Sequence, residues 1–195
     1  MKDKIIVTGG CGYIGSHTVI TLITHNYEVV ILDDFSNSNP QILDRIEKIT
    51  GTRPHFEQVD LKSFEATEAI LRIHKDAKAV IHFAAHKAVA ESIQNPLMYY
   101  QNNLFSLINT LKAQENQGIK NHIFSSSATV YGNPSAVPIS ENAPTQRPFS
   151  TYGNTKKIAE EILEDFTNSQ SEISVISLRY FNPTGAHESG QIGEF

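Results

Sequence analysis

Three groups of residues in this sequence have types and spacing that could do chemistry. The first is Gly9-Gly10-Cys11-Gly12-Tyr13-Ile14-Gly15, which follows the apolar run Lys4–Thr8 and opens a stretch of helical spacing. Gly9, Gly12 and Gly15 form G-x-x-G-x-x-G, and Gly10, Gly12 and Gly15 also satisfy G-x-G-x-x-G. Such a turn needs a residue free to take positive φ, and a pyrophosphate must reach backbone without meeting a Cβ. A further glycine lets helix and strand pack closely, and the free N–H groups of the helix start favour a phosphate. The second group is Asp33, which ends the next apolar run, eighteen residues after Gly15. A carboxylate there binds the 2′-hydroxyl of an adenine ribose and repels a 2′-phosphate, so NAD is expected over NADP. The competing reading is a glycine turn and a strand-end Asp in an α/β protein that binds no nucleotide. Cys11 reads as a small tolerated side chain rather than a nucleophile, because no second Cys accompanies it.

The third group combines Ser125-Ser126-Ser127-Ala128-Thr129-Val130-Tyr131-Gly132 with Tyr152-Gly153-Asn154-Thr155-Lys156. Tyr152 and Lys156, at i and i+4, share one helix face about 6 Å apart along the axis. A nearby ammonium favours phenolate over phenol; lowering a tyrosine by ~3 units takes ~4 kcal/mol of differential stabilisation. Lys156 and a positive nicotinamide ring would share that work, while a strand-end hydroxyl orients the alcohol being oxidised. Alone, Y-x-x-x-K is common and describes many exposed helical pairs; the glycine turn, Asp33 and the serines give it weight.

These residues need elements to place them. Apolar, β-branched runs over 4–8, 28–32, 55–58, 79–83, 121–125 and 174–179 read as strands covered on both faces. Helical spacing lies between them near 13–25, 40–49, 63–73, 96–117 and 151–167. That alternation predicts an α/β fold with a doubly wound parallel sheet. Residues 132–150, rich in Pro, Ser and Asn, form the longest expected loop, and 182–195 end without an obvious next element.

The chain has 195 residues with 16 Lys+Arg against 21 Asp+Glu, and its formal charge of −5 matches a phosphate backbone poorly. No nucleic acid is expected, nor a membrane, since no apolar run approaches about 18 residues. One Cys and no signal-peptide core fit a cytoplasmic protein. No pair of histidines has metal-ligand spacing with accompanying carboxylates, so no metal is expected. His82 reads as core at a strand end, and His25, His55 and His74 as residues at element ends.

Val7-Thr8-Gly9-Gly10, His82-Phe83-Ala84-Ala85, Ser125–Gly132, Tyr152–Lys156 and Arg179-Tyr180-Phe181-Asn182-Pro183 together resemble the extended short-chain dehydrogenase/reductase family. Within it, the resemblance is to the N-terminal part of the UDP-sugar 4-epimerases. It covers essentially the whole chain. It implies a Rossmann-type NAD-binding domain over 1–181, carrying the catalytic Ser/Tyr/Lys, and the start of a substrate-binding region over 182–195. A further substrate domain would follow, leaving this chain incomplete and inactive alone.

By the same resemblance, Tyr13 and Ile14 present backbone to the pyrophosphate. Asp33, Asp34, Phe35, Ser36, Asn37 and Ser38 surround the adenosine ribose, and Asp60 and Leu61 flank the adenine. Phe83, Ala84, Ala85 and Lys87 line the cofactor groove, Asn102 reaches it from the next helix, and Phe181 lies near the nicotinamide. Ser127, Tyr152 and Lys156 take the catalytic positions; Lys87, Ser127, Tyr152 and Asn182 meet the UDP-sugar. The implied activity is interconversion of UDP-galactose and UDP-glucose by transient oxidation at C4, in galactose metabolism, by a homodimer built on 96–117 and 151–167.

Epimerisation of a UDP-N-acetylhexosamine or UDP-glucuronate is an alternative, as is an NAD-binding module without turnover. A 4,6-dehydratase would carry Asp-Glu directly after the Ser/Thr, where this chain has Ala128-Thr129. His86 stands where the family has an apolar residue and is expected to alter the groove edge. Asn154, replacing a basic residue, is expected at the surface. Tyr99 and Tyr100 read as packing or groove-lining residues rather than catalytic ones.

Overall fold

A computed structural model describes residues 2–134, 136–169 and 171–194. The chain runs β1 (Lys4–Thr8), α1 (Tyr13–Thr24), β2 (Glu28–Asp33), α2 (Gln41–Thr50), β3 (His55–Gln58), α3 (Phe64–Ile73) and β4 (Ala79–His82). It continues through α4 (Val89–Gln94), α5 (Pro96–Gln117), β5 (Asn121–Ser127), a 3-10 turn (Ala128–Tyr131), α6 (Thr151–Asn168) and β6 (Ser174–Tyr180). Every strand pairing is parallel, in the order β3-β2-β1-β4-β5-β6. Strand order reverses between β1 and β4, and a doubly wound sheet opens its ligand crevice there, beyond the strands' carboxyl ends.

Side-chain alternation builds the two layers. Ile5, Val7, Val29, Ile31 and Ile81 point to one face and pack with Val19 and Ile20 of α1 and Ile42 and Ile46 of α2. Ile6, Val30, Leu32 and Val80 point the other way, against Leu71 of α3 and Ala113 of α5. Each of these four is fully buried, which contributes roughly 1.5–3 kcal/mol per large side chain. A third cluster joins Leu107 and Leu111 of α5, Phe124 of β5 and Ala159 and Leu163 of α6. It fastens α6 to β5.

The expected elements are all present, with informative differences at their ends. β2 runs one residue further, placing Asp33 in the strand, and β5 runs two further, making Ser127 its last residue. β4 stops at His82, leaving Phe83 at the start of the crevice loop. Two short elements went unforeseen. α4 has six residues and no side-chain cap, and it ends at Asn95, which Pro96 biases away from helix. The 3-10 turn is capped by Ser127, whose Oγ accepts from the Thr129 N–H at 3.3 Å.

Residues 185–194 do not leave the domain. Ile192 is 1% exposed inside the α1–α2 cluster, Tyr13 donates to the Gly185 carbonyl at 2.6 Å, and Arg45 donates to the Gln191 carbonyl at 3.3 Å. Among the described residues, no helix is long and apolar enough to cross a membrane.

Candidate active site

A groove of about 610 Å³ crosses the carboxyl ends of β2, β1, β4 and β5. Gly9 has φ +65°, and its N–H donates to the Leu32 carbonyl at 2.8 Å, tying the turn to β2. A Cβ on Gly15 would lie 2.2 Å from the Gly9 carbonyl oxygen, so α1 sits against the turn as no other residue would allow. α1 starts at Gly12 with no side-chain cap, which leaves its first-turn N–H groups to an anion at the turn.

Asp33 is 9% exposed, and both its oxygens are engaged. Oδ2 accepts from the Cys11 N–H at 3.0 Å; Oδ1 accepts from the Phe35 N–H and the Ser38 hydroxyl, each at 2.9 Å. These bonds fix the carboxylate's orientation at the end of β2. The Cys11 thiol is buried, and burial followed by the Asp33 charge pushes its ionisation well above the ordinary thiol range. That makes Cys11 a packing residue.

Gly9, Gly12, Tyr13, Ile14, Gly15, Asp33, Asp34, Ser36, Asn37, Ser38, Asp60, Leu61, Phe83, Ala84, Ala85, Lys87, Asn102, Tyr152 and Lys156 all line the groove. Four other residues of the expected set have side chains outside that lining. Phe35 turns its ring onto Phe56, centroids 4.7 Å apart, and serves Asp33 only through its N–H. Ser127 lies just behind, 7% exposed. Phe181 is 58% exposed beside Tyr131, and Asn182 is exposed. Both follow β6, at the sheet edge beyond the groove's end.

Ser127 Oγ accepts from the Thr129 hydroxyl at 3.0 Å as well as from its N–H. With both lone pairs used, the Ser127 proton is left to donate outward. Burial raises the pKa of the Tyr152 phenol, and the nearby Ser127 hydroxyl works the other way with the smaller effect. Lys156 is 4% exposed; its Nζ donates to the Ser125 carbonyl at 2.7 Å and lies 5.9 Å from the Tyr152 ring centroid. Burial brings the ammonium down to about 8. Tyr152 and Lys156 are thus both desolvated, and burial favours the neutral form of each.

A brace fixes this corner. Arg179 donates from Nε and Nη2 to Glu160 at 2.8–3.3 Å and from Nη1 to the Tyr131 hydroxyl at 2.9 Å. The Ser126 hydroxyl donates to the same Glu160 carboxylate. On the groove's other wall, buried Asn103 bonds both the N–H and the carbonyl of His86, and donates to Thr155 Oγ1 at 3.0 Å. His86 lines the groove. Asn154 is half-buried rather than at the surface, donating to the Tyr100 hydroxyl at 2.7 Å. Tyr99 is a packing residue, fully buried, with its hydroxyl 2.7 Å from the Glu91 carboxylate and 2.9 Å from the Ala88 carbonyl.

Sequence reasoning missed Arg45, Ser106, Ser125, Gly193 and Glu194 as lining residues. The Glu194 carboxylate accepts from Lys87 Nζ at 2.5 Å, a pairing across 107 positions that no local pattern signals.

Residues 5–194 match the model of the NAD dependent epimerase/dehydratase family. The chain belongs to that family. The UDP-glucose 4-epimerase of Bacillus subtilis is 48% identical over 190 residues, covering 97% of this chain and 56% of the relative. UDP-glucose 4-epimerase 2 of Arabidopsis thaliana is also 48% identical, covering 100% and 56%. The UDP-glucose 4-epimerase from Bifidobacterium longum, solved with NAD+ and UDP, superimposes with a TM-score of 0.94 at 42% identity, covering 98% of this chain and 57% of that one. This chain thus spans about half the length of the relatives it matches. NAD is the cofactor of the family, and the groove fits it: an uncapped helix start at a glycine turn, an oriented Asp33 at one end, and Tyr152 with Lys156 at the other.

Proposed function

We propose that this chain is the cofactor-binding and catalytic half of an NAD-dependent UDP-sugar 4-epimerase acting on UDP-galactose and UDP-glucose. The observation that carries the reading is a single groove joining the glycine turn and Asp33 to Tyr152 and Lys156, at the end of β5 where Ser127 stands. When bound, NAD supplies the two-electron acceptor and donor for C4 of the sugar. Tyr152 takes the proton of the 4-hydroxyl and later returns it. Ser127, its lone pairs held by Thr129, donates to that oxygen and orients it. Lys156 provides a buried cation beside Tyr152 and reaches the cofactor side of the groove.

Positions 128 and 129 are Ala and Thr and offer no carboxylate for eliminating water, which favours an epimerase over a dehydratase. Identity to UDP-glucose 4-epimerases favours UDP-galactose and UDP-glucose over UDP-N-acetylhexosamine or UDP-glucuronate. The substrate-binding region begins at 182 in this reading, with Lys87 and Asn182 meeting the UDP-sugar, and Phe35 and Phe181 serving the cofactor from outside the groove lining. The chain spans about half the length of those relatives, and in this reading it binds NAD+ through the groove. Apolar side chains on the outer face of α5, Leu97 at 80%, Phe105 at 50% and Ile108 at 42% exposure, support a homodimer packed through α5 and α6. A cytoplasmic location fits a UDP-sugar enzyme with a free cysteine.

The test is a chimera joining residues 1–194 to the C-terminal half of the Bacillus subtilis relative. It should convert UDP-galactose to UDP-glucose, and Tyr152→Phe should cut the rate by at least about 100-fold while NAD+ stays bound. A folded, NAD+-loaded chimera that converts nothing, or whose Tyr152→Phe variant keeps its rate, overturns the assignment.

A further inference from the structure

Far from the groove, the fold assembles a side-chain cluster that sequence spacing does not disclose. His55 and Glu57 stand two apart on the edge strand β3, so their side chains share one face. His74, the C-cap of α3, closes onto them from seventeen positions downstream of Glu57. His55 Nε2 lies 2.8 Å from Glu57 Oε1, His74 Nε2 lies 3.6 Å from the same oxygen, and the two imidazoles meet edge to face at 5.1 Å. One ligand atom from each residue falls within 4.8 Å of the others.

His74 is the informative member. It is 6% exposed, and its Nε2 points toward Glu57 without a hydrogen-bond partner. Leaving a buried polar atom unsatisfied costs about 1–3 kcal/mol, so such an atom calls for an explanation. We propose that His55, Glu57 and His74 bind a divalent transition-metal ion of the zinc class. Around a tetrahedral ion with bonds of about 2.0–2.2 Å, neighbouring ligand atoms stand about 3.3 Å apart. The observed 2.8 and 3.6 Å bracket that spacing. Two imidazoles and one carboxylate suit Zn²⁺ or Co²⁺ rather than Mg²⁺ or Ca²⁺, and three protein ligands leave one position for water. The nearest cation, Lys4, is engaged by Asp76 at 2.9 Å and Glu28 at 3.3 Å.

His55 begins β3, at the end of the sheet opposite the groove, which runs along the strands' carboxyl ends. The ion would therefore take no part in sugar chemistry. It would staple the outermost strand to the end of α3.

The experiment titrates the metal-free chain with Zn²⁺ by calorimetry and with Co²⁺ by visible absorption. One equivalent should bind, with the intense bands of a low-coordinate Co²⁺ site, a higher melting temperature, and no competition from Mg²⁺. His55→Ala and Glu57→Gln should each still melt cooperatively without metal while weakening Zn²⁺ binding at least about 10-fold. Equal affinity in the variants would place the ion on other histidines, of which the chain has eight in all, and would overturn the proposal. So would the absence of Zn²⁺ binding by the unsubstituted chain.

Discussion

The two ends of the groove are built on different physics. At the end beside Asp33, backbone does the work: Gly9 and Gly15 let turn and helix approach closer than any Cβ permits, and backbone N–H groups orient Asp33. At the end beside Tyr152 and Lys156, buried ionisable side chains are held by other side chains and by a backbone carbonyl. Burial raises Tyr152 and lowers Lys156, so both lean toward their neutral forms in the chain's own field. The first end is ready to bind. The second has groups in place whose charge must be set by what binds.

The largest effect should come from breaking the backbone end. Gly15→Ala forces a Cβ to within 2.2 Å of a carbonyl oxygen in a turn that has no room to move. It should destabilise the chain by about 3 kcal/mol or more, measured by urea unfolding, and abolish NAD+ binding. Next comes the brace: Glu160→Gln leaves the Arg179 guanidinium, itself 24% exposed, without its carboxylate. A loss of about 2 kcal/mol is expected, less than for a fully buried pair because solvent reaches the arginine.

Smaller and opposite in sign is Lys156→Met. The lysine's folded pKa, about 8, lies below its unfolded value, so the unfolded chain binds more protons between the two. Unsubstituted stability should therefore rise as pH climbs from about 8 toward about 10.4. Lys156→Met should remove that rise and stabilise the chain by on the order of 1–3 kcal/mol at neutral pH, while the chimera carrying it loses turnover. Thermal melts across pH check the stability changes, and assay of UDP-galactose conversion by the chimera checks the turnover. A destabilised Lys156→Met would mean that the Ser125 carbonyl and the Phe124 ring, 4.8 Å away, compensate the ammonium more fully than its lowered pKa indicates.

The same division governs what could be read from sequence. β1 and its glycine turn, the strand-end Asp33, and the pair Tyr152 and Lys156 are local patterns, and local patterns survive without coordinates. The six strands and five longer helices emerged because burial on both faces leaves continuous apolar runs. α4 stayed hidden because six residues without a cap carry too little periodicity. Thr129 on Ser127, Glu160 with Arg179, Lys87 with Glu194, and His74 with Glu57 were invisible for a different reason. Each is a contact chosen by the fold, and except for Thr129 it joins residues far apart in the chain.

The most direct test of the contrast is the ionisation of Tyr152, followed by phenolate absorbance as the difference between the chain and its Tyr152→Phe variant, with and without NAD+. Without NAD+, the Tyr152 phenol should ionise above pH about 10. With NAD+ bound, the added positive charge should bring ionisation down by about one pH unit or more. A phenol that titrates identically in both, or that is already ionised near neutrality without NAD+, would contradict the account.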